Sequence, residues 1–224
     1  MSCVVFFAII RGRNGGMGMR KITAVLIAVL SVFVLASCAG KGSGGLTEEQ
    51  QLLFEKICAA DEALELSKKT GAVVFETRGC TSGKNTWEEF CNNTSKKKPA
   101  SVLCAYYYEL DRERVSEELY EEEKDMYPQL FFSLIEYDGN EYKISTRMST
   151  DEKPETVETY QYMIRQTGKA PSESSLFDSY EYYLLVDDPS VTWDDISRAL
   201  FSSQMVEIPR FSTVYQDYTG WKGN

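Results

Sequence analysis

The sequence predicts an α+β fold, with an N-terminal helix packed on a curved antiparallel sheet and a short helix near the C-terminus. Three observations point there. Residues 47–69 open on a capping box and continue with helical spacing of apolar residues. A series of later segments rich in β-branched and aromatic residues follows with short turns between them. Residues 192–203 repeat the helical signature near the end. A helix followed by successive strands implies antiparallel pairing rather than βαβ repeats.

The elements can be justified in order. Thr47-Glu-Glu-Gln50 lets the Thr47 hydroxyl and the Gln50 amide satisfy each other's backbone N–H groups. Leu53, Ile57, Ala60 and Leu64 then share one face, Lys68 and Lys69 suit the negative helix end, and Gly71 closes it. Strands are expected at Ala72–Arg78, Ala100–Leu110, Gln129–Tyr137, Glu141–Met148, Thr156–Gln166, Phe177–Val186 and Val206–Tyr215. Asp138-Gly139-Asn140 is the hairpin turn between the third and fourth of these. Thr81–Phe90 reads as a polar loop, and the Glu-rich Glu113–Asp125 as an exposed helix or a loop, with the helix favoured. Thr192 caps the closing helix, with Asp194 and Asp195 in its first turn and Ile196, Ala199 and Leu200 facing inward.

Charge divides the chain. It carries 24 Lys+Arg, 34 Asp+Glu and no histidine, a formal net charge of −10. Residues 1–37 hold four of the basic groups and no acidic one, leaving the remainder at −14. The lack of histidine excludes Ser-His-Asp and Cys-His catalysis and any imidazole ligand. The acidic body argues against nucleic-acid binding.

The basic start has the order of an export signal. Met19-Arg-Lys precedes an apolar run from Ile22 to Ala36, 15 residues long, where a spanning helix needs roughly 20. It ends in Leu35-Ala36-Ser37-Cys38. This stretch resembles the lipobox signal peptide of bacterial lipoproteins. The resemblance covers Met19 to Cys38 only. It implies cleavage before Cys38, with Leu35, Ala36 and Ser37 recognised by the signal peptidase. It also implies a diacylglyceryl group on the Cys38 sulfur and attachment to the cell membrane, facing out of the cytoplasm. Two acyl chains give stable anchoring. Residues 1–18 fall outside the scheme and read as a mis-assigned leader before a true start at Met19. Residues 19–37 are then the signal, 38–46 the lipidated cysteine and a glycine-rich tether, 47–218 one globular domain and 219–224 a tail.

Four cysteines remain in the body, and export permits disulfides. Cys80 and Cys91 bracket the expected loop and are paired in this reading. Cys58 on the first helix and Cys104 in a strand could meet in the core; the alternative is that they are buried free thiols. The spacing suits no zinc site.

Other chemistry is sparse. Ser95-x-x-Lys98 and Lys69-Thr70-Gly71 mimic two motifs of penicillin-binding enzymes, but in reversed order and without Ser-Asp-Asn. Asp187-Asp188 and Asp194-Asp195 lack the alternation of a calcium loop. No metal or cofactor is implied. All 14 tyrosines lie in the body. Tyr106, Tyr108, Tyr180 and Tyr182 are the expected ligand face, for a protein, glycan or lipid partner. The leading expectation is a membrane-anchored, non-enzymatic binding domain. The alternatives are a small cell-envelope hydrolase using carboxylates and a LolA-like lipid carrier. The outline resembles lipoprotein carriers and cystatin-like domains only in shape.

Overall fold

The computed structural model describes residues 45–56, 58–150, 156–202 and 207–222. The expected leader, the expected signal segment with Leu35, Ala36 and Ser37, Cys38 and most of the expected tether lie outside the described residues. No described helix is long and apolar enough to cross a membrane.

The chain is mixed α+β, with five α-helices and two sheets among the described residues. The expected first helix is two helices, α1 (Glu48–Glu55) and α2 (Ala60–Thr70). The capping box forms as expected, with Thr47 Oγ1 accepting from Gln50 N at 3.1 Å and Gln50 Oε1 accepting from Thr47 N at 3.2 Å. The break has a definite cause. A continuous helix would pair the Phe54 carbonyl with the Cys58 N–H. Instead the Arg147 guanidinium donates to the Phe54 carbonyl, and Cys58 N–H donates to Ser149 O at 3.3 Å. Arg147 is itself buried and also donates to Met148 O, so it braces the break from below. Gly71 closes α2 with φ 74, as expected.

Next come β1 (Val73–Glu76), β2 (Gly79–Ser82), α3 (Lys84–Ser95) and β3 (Ala100–Tyr108). Helix α3 replaces the expected polar loop. It buries Trp87, Phe90, Asn93 and Thr94 along one face. It also makes β1 parallel to β3, with Val73 opposite Cys104, so the sheet is not wholly antiparallel. A parallel pair needs such a crossover.

The acidic stretch contributes α4 (Glu117–Glu123), capped by Ser116 and followed by a 3-10 turn at Lys124–Met126; none of its side chains is buried. Strands β4 (Gln129–Tyr137) and β5 (Tyr142–Met148) form the expected hairpin. Asp138 Oδ1 accepts from the N–H groups of Asn140 and Glu141 at 2.7 and 2.9 Å and fixes the turn.

The expected strand over 156–166 is divided at Gln161. Strand β6 (Thr156–Tyr160) ends the first sheet, and β7 (Tyr162–Lys169) begins the second. The first sheet has the order β2-β1-β3-β4-β5-β6. The second joins β7 to β8 (Ser179–Val186) and β9 (Phe211–Thr219), in the order β7-β8-β9. Helix α5 (Trp193–Phe201) lies between β8 and β9 in sequence, with Thr192 and Asp195 forming its capping box. The sheets meet again where β2 approaches β9, since a Cβ at Gly79 would lie 2.9 Å from the Asp217 Cα.

Three buried layers follow from strand alternation. On one face of β3, Val102 and Cys104 join Val73, Phe75, Ile135, Trp87 and Phe90 against Leu185, Val214 and Tyr215 of the second sheet. On the other face, Leu103 and Ala105 join Leu130 and Phe132 beneath Leu53, Phe54, Ala63 and Leu64 of α1 and α2. The far face of the second sheet carries Tyr182, Leu184 and Val186 under Ile196 of α5. The first sheet is therefore buried on both faces, which explains the unbroken apolar runs at 73–75 and 102–105.

Candidate functional site

The structure does not bring the four expected ligand tyrosines together. Tyr106 points into the layer between the sheets, stacks on Phe75 at 4.8 Å and donates to Val214 O at 2.8 Å. It is a core residue that ties the sheets together. Tyr108 lies further along the same strand, half exposed, edge-on to Phe131. Tyr180 and Tyr182 stack on each other at 4.6 Å on the far face of the second sheet, and Trp193 of α5 covers Tyr182. Tyr182 is buried there. Alternation placed each ring on a face, but only the two-sheet arrangement decides which faces are covered.

The expected Cys58–Cys104 pairing is corrected by the same parity. Cys104 belongs to the layer between the sheets and Cys58 to the layer under α1 and α2. The first sheet stands between them. Cys80 and Cys91 pack beside Cys104, and all four described cysteines are free thiols here. Cys80 contacts Tyr215 and Cys91 contacts Tyr183, two rings 5.5 Å apart. Burial pushes the Cys91 thiol up to about 12, with Glu181 adding to the rise, and pushes Cys104 up further. Neither is a thiolate nucleophile at neutral pH.

The tyrosines behave alike. Burial, and then the charge of Glu158, lifts Tyr160 to about 12. Burial, and then Cys91, lifts Tyr183 to about 12. A group whose folded pKa is raised stabilises the fold below its unfolded value and loses that contribution as pH rises through the folded one. The window here runs from about 9 for Cys and about 10 for Tyr up to about 12. With no histidine to titrate, the thermal midpoint is expected to be flat from about pH 6 to 8 and to fall steadily above about pH 9. Calorimetry across this range checks it; a shift of several degrees between pH 6 and 8 would contradict it.

The acidic clusters are accounted for locally. Asp187 pairs with Arg210 at 2.7 Å, Asp188 accepts from Ser190, and Asp195 caps α5. Hydrogen bonds to Ser190 and Thr192 hold Asp188 and Asp195 below the usual carboxylate range. Among the described residues no group of three or more Cys, Asp or Glu is placed to hold a metal ion.

Two clefts stand out. One, of about 450 Å³, lies under α1 and is lined by Leu46, Phe54, Leu134, Glu136 and Arg147. Its cation is already engaged in bracing the α1–α2 break. The other, of about 420 Å³, lies at the polar end of the second sheet. Its floor is two rows of residues in register across three strands. Thr167, Glu181 and Asp217 form one row, and Lys169, Ser179 and Thr219 the next. These positions continue the face that carries Tyr183 and Leu185 inside the core, so the apolar interior gives way to a polar groove. Lys84 at the start of α3 lines the groove and reaches Asp217 at 3.1 Å, while Arg165 reaches Glu181 at 2.7 Å. The Ser179 and Thr219 hydroxyls share a hydrogen bond.

The sequence reading missed this groove. Its only trace in the sequence is polar residues at odd positions of Ser179–Glu181, where the inward face would otherwise be apolar. Comparison with known proteins adds no family: no family model, no curated protein and no solved structure matches the chain.

Proposed function

We propose that the protein is a lipid-anchored binding domain on the outer side of a bacterial cell membrane, taking a polar, hydroxyl-rich ligand such as a glycan in the groove of the second sheet. Leu35-Ala36-Ser37-Cys38 supports the anchor. The observation that carries the binding reading is the pair of in-register rows at the groove floor. Thr167, Ser179 and Thr219 offer hydroxyls, Lys84 and Lys169 donate, and Glu181 and Asp217 accept. The ligand face thus moves from the tyrosines to this groove, with Tyr180 on its lining. The carrier alternative is less well supported: Leu53 and Leu64 pack with Leu103 and Phe132 between the helices and the sheet, and the cleft under α1 is lined by Glu136 and the engaged Arg147 as well as by Leu46, Phe54 and Leu134.

Glu181 and Asp217 are direct cross-strand neighbours, the one observation favouring the hydrolase alternative. Each is engaged by a cation, which favours a positioning role.

The test has two parts. The mature protein is expected to carry the mass of a diacylglyceryl group and to sediment with membranes, and Cys38→Ala is expected to lose both. Titration with soluble cell-wall glycan fragments is expected to show binding that Ser179→Ala and Glu181→Gln each weaken about tenfold, near 1.4 kcal/mol. Release of shorter fragments during that titration would establish the hydrolase instead, and no binding would remove the groove from consideration.

A further inference from the structure

The body is acidic, yet it contains one run of three consecutive lysines, Lys96-Lys97-Lys98. All three are exposed, and none forms an ion pair among the described residues. The loop that carries them is held firmly. Lys96 and Lys98 N–H both donate to Asn93 O, and Lys97 N–H donates to Thr94 O, with Lys97 at φ 54. The β4–β5 turn backs it, since the Lys97 carbonyl oxygen would lie 3.4 Å from a Cβ at Gly139. The backbone that presents the three lysines is therefore fixed.

Their position gives the array a direction. Three residues beyond Lys98, the Ser101 hydroxyl accepts the N–H of Leu46 at 3.2 Å. Leu46 is where the segment following Cys38 joins the domain, and it packs against the layer under α1 and α2. Eight steps of chain separate Leu46 from Cys38, a reach of at most about 28 Å. The lysine loop thus sits at the root of the segment that leads to the proposed lipid anchor. Of the acidic groups on the neighbouring hairpin, Glu136 is paired with Lys143 at 3.1 Å, while Asp138, held ionised by two backbone N–H groups, and Glu141 remain as negative charges that the three lysines outnumber.

We infer that Lys96, Lys97 and Lys98 form a headgroup-facing surface that seats this end of the domain on anionic lipid. The inference rests on the anchor reading above. A cation near an anionic leaflet gains about 1 kcal/mol, and the gain fades within a Debye length, so the lysines act only where the anchor already holds the chain close. The rest of the surface, net acidic, is held away by the same field, and the groove at the end of the second sheet is left open to solvent.

The mature lipid-anchored protein is placed in vesicles of phosphatidylcholine alone and of phosphatidylcholine mixed equally with phosphatidylglycerol. Amine-reactive labelling is then read by peptide mass spectrometry. Labelling of Lys96–Lys98 and of Lys143 is expected to slow about fivefold on the anionic vesicles, the rate equivalent of about 1 kcal/mol. Labelling of Lys222 is expected to stay unchanged, and about 1 M salt is expected to abolish the difference. In the combined variant Lys96→Gln, Lys97→Gln and Lys98→Gln, Lys143 is expected to label equally on both vesicles. Equal rates for the unaltered protein floating with both vesicles would overturn the seating while leaving the anchor intact. Failure to float with either would overturn the anchor and the seating with it.

Discussion

Trp87→Ala is expected to lower stability by about 3–5 kcal/mol, more than any substitution on the surface. Trp87 is 2% exposed and stands where α3 meets both sheets. Its ring stacks on Tyr215 at 4.9 Å, meets Tyr183 edge-on at 5.2 Å and packs against Phe90 at 5.5 Å. Removing it leaves a cavity bounded by two rigid sheets, which cannot close over it without losing their own pairing. In a chain of this size the midpoint is expected to fall by roughly 10–15 °C. Trp87→Phe is expected to cost much less, because the indole Nε1 is buried without a partner among the described residues and its loss removes no hydrogen bond. Thermal unfolding of the two variants measures both. Equal losses would show that the ring's size is not what holds the layer.

Gly83→Ala is expected to cost about 3 kcal/mol or more. Gly83 caps α3 with φ 76, and a Cβ there would lie 2.3 Å from Ala72 O and 2.7 Å from Val73 Cα. The left-handed backbone alone costs a non-glycine residue roughly 1–2 kcal/mol, and the clash with main chain must be relieved by moving β1 or α3. Gly71→Ala separates the two contributions. Gly71 has a similar φ of 74 but nothing within 4 Å of its Cβ position, so its loss is expected to stay near 1 kcal/mol. Denaturant melts of the pair check the difference. Similar values would mean that backbone conformation, not the close approach, dominates at Gly83.

Local signals in the sequence located much of the fold. The capping box at Thr47, the cap at Thr192, the bounds of β4 and the Asp138 turn rest on neighbouring residues and were legible. What escaped depends on distant partners. Helix α3 reads Lys-Asn-Thr-Trp-Glu-Glu-Phe-Cys-Asn-Asn-Thr-Ser, a weak helix former that is ordered by burying Trp87 and Phe90. The break after Glu55 is made by Arg147 and Ser149, each more than 90 positions from the residue it holds. At Gln161 the inward parity changes, with Tyr160 inside on one side and Met163 on the other, and no local residue announces it. The groove was hidden for the same reason. Its rows exist only once β7, β8 and β9 are aligned.

The meeting of β2 with β9 bears on how the chain folds. Lys84 and Asp217, which bridge that seam, are 133 positions apart. Closing so long a loop is slow, and little of its entropic cost can be recovered until both ends are present. A chain delivered from its N-terminus can pair β1 through β6 and cover one face with α1 and α2 while the second sheet is still arriving. The apolar inner face of the first sheet, covered only in part by Trp87 and Phe90 of α3, then waits for β8 and β9. That interval is when the protein is most open to aggregation or to a chaperone, and it ends only with the last strand.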